Sequence, residues 1–179
     1  MIQEALWTPD DTESLGRCWG IDPGTAWMAL GIHDGVRYGA SSCHLPRAAD
    51  PLRRLSAALP AMCEFLERAV HVYGRPSVVC IEQPAGVGHN VHPATWYITG
   101  ATGMAVVQTV DCPVHLVGPP TWKSEAMGKG HGHSTKEQVR AWVHARGWRG
   151  SSEHEADAAV IARCAYVRLA KHLSVGGVS

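Results

Sequence analysis

The chain has 179 residues and a mass of 19.2 kDa, a size that favours one domain or two small ones. The 16 Lys and Arg residues balance the 16 Asp and Glu residues, and 45% of the residues are hydrophobic. This composition excludes a disordered tail protein, a collagen-like fibre and a strongly basic coat protein, but it does not tell where the charges lie.

The N-terminal part of the chain predicts an acidic segment followed by a small sheet. Residues 1–16 contain four acidic residues and no Lys or Arg, so we expect a short acidic extension ahead of a single domain over residues 17–175. Three extended segments come next, at Cys18–Ile21, Ala26–Ile32 and Val36–Leu45, and they are joined by turns that contain glycine. They predict an antiparallel meander.

The remaining segments alternate between helices and strands. Asp50-Pro51 opens a helix that ends near Gly74, with Asp as the N-cap and Pro as the first residue. The order βββαβαβαα predicts an α/β fold with a mixed five-stranded sheet and helices on both faces. The other predicted elements are a strand at Ser77–Ile81, a helix at Pro93–Val110, a strand at Val114–Val117, a loop at Thr121–Gly132, a helix from a capping box of Ser134 and Glu137 to about Gly147, and a helix from Ser152 to Leu173.

Two further features restrict the class of protein. No apolar run is long enough to cross a membrane, and the first residues lack the apolar stretch of a secretory signal. The six cysteines are scattered without a Cys-x-x-Cys pair, so neither a disulfide framework nor a zinc site is expected. We therefore expect a reduced cytoplasmic protein with no membrane partner.

Acidic and imidazole side chains stand at the ends of three predicted elements. Asp22 ends the first strand and Glu82 follows the buried strand. His154 and Asp157 share one face at the start of the last helix. Each has an ordinary interpretation, as a turn cap, a salt-bridge partner or a helix cap. Glu153 lies four residues before Asp157, so either Glu153 or His154 could act beside it.

Together, these side chains predict a metal site at one end of the sheet. Carboxylates that converge repel one another unless a cation lies between them, and oxygen-rich sites suit Mg²⁺ or Mn²⁺. Two such ions about 4 Å apart orient a water molecule and stabilise the charge on a phosphate. The predicted chemistry is therefore phosphodiester hydrolysis without a nucleophilic side chain.

A basic segment accompanies this site in the sequence. Between residues 120 and 150 there are six Lys or Arg residues and two acidic residues, a net local charge of +4. Such a segment is typical of phosphate contacts, although a solvated mobile loop is the ordinary alternative. We expect Lys123, Lys129, Lys136 and Arg140 to contact DNA.

Three short motifs resemble those of one nuclease family. Gly20–Thr25 reads GIDPGT, Cys80–Gln83 reads CIEQ and His154–Ala158 reads HEADA. In order and spacing they resemble the three motifs of RuvC-family Holliday-junction resolvases, over about residues 17–173. The resemblance implies a ribonuclease-H-like fold and an endodeoxyribonuclease of the crossover-junction type, active in recombination, repair or phage DNA processing. It also implies a homodimer that cuts two strands of a four-way junction symmetrically.

The same resemblance implies roles for individual residues. Lys123 and Lys136 would be the basic residues beside the scissile phosphate, and they count with the metal ligands as catalytic. Two Mg²⁺ ions would occupy each active site, with Mn²⁺ able to substitute. The implied metal ligands are Asp22, Glu82, His154 and Asp157. The helix at 93–110, with its small residues, is the expected two-fold contact.

The sequence also departs from the family pattern. Residues 83–90 contain no aromatic residue where many relatives carry a Phe, and the acidic extension is unusual. We expect a divergent, phage-encoded member, acting near the nucleoid of a bacterial or phage-infected cell. Flaps, other branched DNA and RNA–DNA hybrids are alternative substrates, and an inactive junction-binding protein is a further alternative. GIDPGT also resembles the phosphate loop of actin-like ATPases, but those folds need two such domains, so no nucleotide cofactor is expected.

Overall fold

The computed structural model describes residues 15–84, 93–148 and 150–176. Its centre is a five-stranded sheet with the order β3-β2-β1-β4-β5. Strands β1, β2 and β3 form an antiparallel meander, while β4 and β5 run parallel to β1. The prediction of a mixed five-stranded sheet is therefore confirmed. The strands are β1 at Cys18–Pro23, β2 at Trp27–His33, β3 at Tyr38–His44, β4 at Val78–Glu82 and β5 at Val114–Val117.

Five helices in the described part of the chain cover the two faces of the sheet. They are α1 at Pro51–Tyr73, α2 at Pro93–Thr109, α3 at Pro119–Met127, α4 at Lys136–His144 and α5 at Glu153–Gly176. Along the chain the order is βββαβαβααα, so the predicted order βββαβαβαα is one helix short. The residues 1–14 of the expected acidic extension lie outside the described residues.

The additional helix is α3, where the sequence predicted a loop over Thr121–Gly132. Pro119 and Pro120 begin this helix, because proline fits the first turn, where backbone N–H groups have no helical partner. Trp122 and Ala126 lie four residues apart and are buried in one cluster with α5. Glycines and lysines predicted a loop here, but burial of this apolar pair stabilises a helix up to Gly128.

The start of α4 lies one residue later than predicted. Thr135 Oγ1 accepts from the Gln138 backbone N–H at 3.3 Å, and the Gln138 side chain accepts from the Thr135 N–H at 2.8 Å. These two residues form the capping box, and not Ser134 and Glu137. The helix ends at His144, three residues before the predicted Gly147.

Two apolar clusters lie on opposite faces of the sheet. Helices α1 and α2 cover one face, with Phe65 and Ile98 among the buried residues. Helices α3, α4 and α5 cover the other face. A Cβ atom at Gly20 or Gly31 would collide with the backbone of α5 at Ala158, so these glycines let the helix lie directly on β1 and β2. This close packing fixes the first turn of α5 over the end of β1.

Both ends of α1 lie where the sequence predicted them. The Asp50 side chain accepts from the backbone N–H of Arg53 at 2.8 Å, and Gly74 ends α1 with a φ of 76°. All six cysteines carry free thiols. No helix in the described ranges is long and apolar enough to cross a membrane.

Candidate active site

The ends of β1 and β4 bring two carboxylates to the same edge of the sheet. Ile21 of β1 pairs with Ile81 of the parallel strand β4. The next residues in these strands are Asp22 and Glu82, which therefore stand side by side and point to the same face. Both are partly buried, and this face is the one covered by α5.

Glu82 has one direct partner and a strongly perturbed acidity. The indole Nε1–H of Trp122 donates to Glu82 Oε2 at 2.9 Å. Burial, and after it the negative charges of Asp22 and Asp157, raise the pKa of Glu82 to about 8. The nearby Lys123 ammonium acts in the opposite direction. A carboxyl in this position keeps its proton at neutral pH until a cation offsets the repulsion.

The first two turns of α5 supply the other predicted residues. His154 Nδ1 lies 2.8 Å from Asp22 Oδ2, and since a carboxylate oxygen accepts, Nδ1 carries the proton. This hydrogen bond raises the pKa of His154. One turn later, burial and the charge of Asp22 raise the pKa of Asp157 to about 6. The structure thus brings the four predicted residues to one end of the sheet.

Glu153 and His154 point to different partners. Lys136 Nζ donates to Glu153 Oε1 at 2.9 Å, and the Glu153 side chain is 44% exposed. His154 instead contacts Asp22. The contact of Glu153 is thus with a lysine at the rim of the site, whereas the contact of His154 is with a carboxylate of the acidic cluster.

The two lysines expected beside the phosphate lie close to the carboxylates. Lys123 Nζ donates to the carbonyl of Ser134 at 2.8 Å, which holds its side chain between α3 and the start of α4. The charges of Lys123 and Lys136 both act to lower the pKa of Asp157. Each lysine thus keeps a positive charge within electrostatic reach of the acidic cluster.

The two other residues expected to contact DNA lie further out. Lys129 is exposed in the turn after α3, between two glycines with positive φ. Arg140 is exposed on α4, and its charge contributes to lowering the pKa of Glu153. Neither forms a described ion pair within 4.0 Å. Both side chains therefore extend the positive surface away from the carboxylates.

Trp122 is a site residue that the sequence did not indicate. Trp122 is 1% exposed and belongs to the apolar cluster between the sheet and helices α3, α4 and α5. Its hydrogen bond to Glu82 was not foreseen. It could not be predicted because helix α3 was not predicted, and the helix at Pro119–Met127 is what directs this indole to the end of β4. Trp142 and Trp148 pack edge to face, with ring centroids 5.5 Å apart.

The chemistry of this site suits a hard divalent cation. Three partly buried carboxylates lie together, and burial, followed by repulsion from Asp22, raises the pKa of the other two, Glu82 and Asp157. Within the described residues, however, no three His, Cys, Asp or Glu side chains are arranged to hold a metal ion. The site therefore fits a cation by the type of its ligand atoms and by the repulsion between its carboxylates. The hydrogen bonds that His154 and Trp122 donate to Asp22 and Glu82 would have to change when a cation binds.

Comparisons with known proteins are consistent with this architecture. No protein-family model and no curated protein sequence matches the chain. Thermus thermophilus RuvC has a similar structure, with a TM-score of 0.66 and 23% identity over 87% of this chain and 96% of that one. The same protein in complex with a Holliday junction substrate gives 0.65 and 20%, over 87% and 95% of the two chains.

A eukaryotic structure extends the similarity. The yeast mitochondrial Holliday junction resolvase Ydc2 gives a TM-score of 0.52 and 16% identity, over 86% of this chain and 80% of that one. The expected ribonuclease-H-like sheet is thus confirmed by structures that share it along nearly their whole length. This chain has the fold of the RuvC-like Holliday junction resolvases.

Proposed function

We propose that this protein is a metal-dependent, structure-selective DNA endonuclease that resolves four-way junctions by paired phosphodiester hydrolysis. The observation that carries the proposal is the convergence of Asp22, Glu82, His154 and Asp157 at one edge of a RuvC-like sheet. The fold alone does not require acidic residues at the ends of β1, β4 and α5. Their mutual repulsion is costly, and a divalent cation would relieve it.

We propose Mg²⁺ as the cation, with Mn²⁺ as a substitute and two ions in each site. When bound, such ions supply an activated water and offset the charge on a phosphate. The residues that would hold them are Asp22, Glu82, His154 and Asp157. The Trp122 indole orients Glu82, and the proton that its raised pKa keeps on Glu82 at neutral pH would leave if a cation bound there.

The positive side chains around the carboxylates would contact the DNA backbone. Lys123 and Lys136 stand nearest, where their charges would stabilise the phosphate as negative charge develops on it. Lys129 and Arg140 are exposed further out and would bind neighbouring phosphates. In this proposal the DNA lies across α3, α4 and the start of α5. Action on DNA in the cytoplasm of a bacterial or phage-infected cell is part of the same proposal.

A homodimer is the second part of the proposal, because a junction offers two equivalent strands. The outer face of α2 is exposed and apolar. Gly100 and Gly103 lie on this helix with open space around them, so another backbone could approach closely. A contiguous apolar face of this kind is typical of a protein contact. The exposed apolar residues of α2 are Trp96, Tyr97, Met104 and Val107.

The test is cleavage of end-labelled DNA substrates with Mg²⁺, Mn²⁺ or EDTA. The substrates are a four-way junction, a flap, a linear duplex and an RNA–DNA hybrid of matched sequence. We expect symmetric cuts in the junction with either metal, no cuts with EDTA and much slower cutting of the duplex. Equal cutting of duplex and junction would contradict structure selectivity, and preference for the hybrid or the flap would favour the alternative substrates.

A further inference from the structure

A cleft of about 970 Å³ opens beside the acidic cluster and runs toward the edge strand β3. His154 lines one end of it, so the cleft is continuous with the candidate active site. Trp27 and His44 line it from the ends of β2 and β3, and Arg68 and His71 line it from helix α1. None of these four residues belongs to the predicted catalytic set.

Trp27 provides an aromatic surface on the active-site face of the sheet. Asp22 pairs with Ala29 across β1 and β2, and Trp27 lies two residues from Ala29, so Trp27 and Asp22 project from the same face. Trp27 is half-buried, and its ring contacts His44 with centroids 3.1 Å apart and planes inclined at 35°. The pair forms an aromatic platform at the end of the meander.

Helix α1 contributes two basic residues to the lining of the cleft. Arg68 and His71 lie three residues apart on α1, on the same exposed side of the helix. Arg68 also lies close enough to β3 for its charge to act on the thiol of Cys43. Its described ion pair, with Glu64 at 2.9 Å, is highly exposed and therefore weak, so a phosphate could replace that partner.

The carboxylate in the cleft, Glu155, does not oppose an anion strongly. Its Oε2 accepts from the backbone N–H and the hydroxyl of Ser151, at 2.7 and 2.6 Å. Its Oε1 accepts from the hydroxyl of Ser42 at 2.8 Å. Glu155 is 7% exposed, and both of its carboxylate oxygens accept these hydrogen bonds. It therefore ties α5 to β3 and leaves the aromatic and basic groups to face the cleft.

We propose that this cleft binds an unpaired nucleotide of the DNA strand beside the cleaved phosphodiester, with its base on Trp27 and its phosphate near Arg68 and His71. An aromatic face stacks on any base, and an adjacent cation binds the backbone, which is the usual combination in single-strand binding. The volume accommodates a nucleotide with its flanking phosphates. This inference rests on the proposed nuclease function and adds a binding site to it.

The experiment measures binding of a single-stranded oligonucleotide that carries 2-aminopurine, in EDTA so that no cleavage occurs. The variants are W27A, W27F and R68Q, with R53Q as the matched control because Arg53 is an exposed arginine elsewhere on α1. We expect W27A to lose the quenching of 2-aminopurine and to weaken binding by about 5- to 100-fold. W27F should retain quenching and stay within about threefold of the parent.

The arginine variants test the phosphate contact. R68Q should weaken binding and reduce the slope of log K against log salt by about one, while R53Q should change neither. Thermal melting of each variant separates loss of binding from loss of folding. If folded W27A binds and quenches like the parent, or if W27F fails as completely as W27A, the stacking site is overturned.

Junction cleavage by the same proteins separates this inference from the proposed function. A parent that cleaves junctions while its W27A and R68Q variants bind single strands unchanged would overturn the cleft and leave the nuclease standing. A parent that neither binds nor cleaves any DNA would overturn both.

Discussion

His154 Nδ1 lies 2.8 Å from Asp22 Oδ2, a contact between residues 132 positions apart that joins the start of α5 to the end of β1. The contact raises the pKa of His154. Because the folded-state pKa is raised, the ion pair stabilises the fold below pH about 6.5 and this stabilisation is lost as pH rises through the raised value. A divalent cation at Asp22 would compete with the same proton.

The first prediction concerns Asp22, which repels both other carboxylates. D22N should reduce junction cleavage by about 100-fold or more, because it removes a carboxylate that is proposed to hold the ions that stabilise charge on the phosphate. Binding of the junction should stay equal or become tighter, since one negative charge near the phosphates is removed. Cleavage assays and gel-shift titrations in EDTA check the two halves. Cleavage by D22N at the parental rate would refute the site.

The second prediction concerns the choice of metal. An imidazole among the ligands is softer than a carboxylate, so Mn²⁺ should support cleavage at least as well as Mg²⁺. H154D should shift the preference toward Mg²⁺, because an all-oxygen site suits the harder ion. Cleavage rates across a titration of each metal give the comparison. No cleavage with Mn²⁺ in the parent would contradict a role for His154 as a ligand.

The third prediction follows from Glu82, whose pKa is raised to about 8. The unfolded chain releases this proton near its ordinary pKa, so the metal-free fold loses stability between pH about 4.5 and 8. E82Q removes this loss and still offers an oxygen to Trp122. In EDTA, E82Q should exceed the parent in unfolding free energy by about 2–4 kcal/mol at pH 9 and by much less at pH 5.

Urea unfolding at several pH values measures that difference. E64Q is the matched control, because Glu64 forms an exposed ion pair with Arg68 and its side chain is 68% exposed. Its stability should follow the parent at every pH above 5, within about 1 kcal/mol. A pH-independent gap between E82Q and the parent would show that burial of Glu82 does not perturb its acidity.

The fourth prediction distinguishes the two candidates at the start of α5. Glu153 binds Lys136 at the rim, so E153Q should leave Mn²⁺ affinity within about threefold of the parent, the change expected from a lost distant charge. D157N should weaken Mn²⁺ binding by about 10-fold or more. Calorimetric titration of Mn²⁺ measures both. The reverse order of effects would make Glu153 the ligand.

The fifth prediction tests the two-fold contact through α2. Val107 is 61% exposed, so V107D should change stability by only about 0.5 kcal/mol while placing a charge in the proposed interface. Val36 in the turn between β2 and β3 is 85% exposed, and V36D is the matched control. Sedimentation at micromolar concentration should give a dimer for the parent and V36D and a monomer for V107D. A monomeric parent would remove the structural basis for paired cleavage.

Much of the sheet could be predicted because its signals are local. The meander follows from glycine-containing turns between apolar runs, and β4 follows from a short β-branched run. The start of α1 at Asp50-Pro51 is a side-chain cap that depends on neighbouring residues only. Asp22 and Glu82 could be chosen for the same reason, since each directly ends a recognisable strand.

The prediction failed where burial by distant residues decides the structure. α3 forms because Trp122 and Ala126 pack with α5, and no local pattern of Thr121–Gly132 records that contact. The capping box lies at Thr135 because Ser134 is buried and its hydroxyl contacts His131 Nδ1 at 3.2 Å. These errors share one cause, which is that the sequence shows propensities but not which side chains meet.

The neutral total charge shows the same difference between what the sequence determines and what the tertiary structure determines. The sequence by itself determined that acidic and basic residues balance, that the basic ones concentrate between residues 120 and 150, and which acidic residues end the strands. Only the tertiary structure decided that His154 contacts Asp22 and Glu153 contacts Lys136, and that Trp27 and Arg68 line one cleft. Charge is a property of composition, whereas its effect on pKa and on a ligand depends on distance and burial, which folding alone establishes.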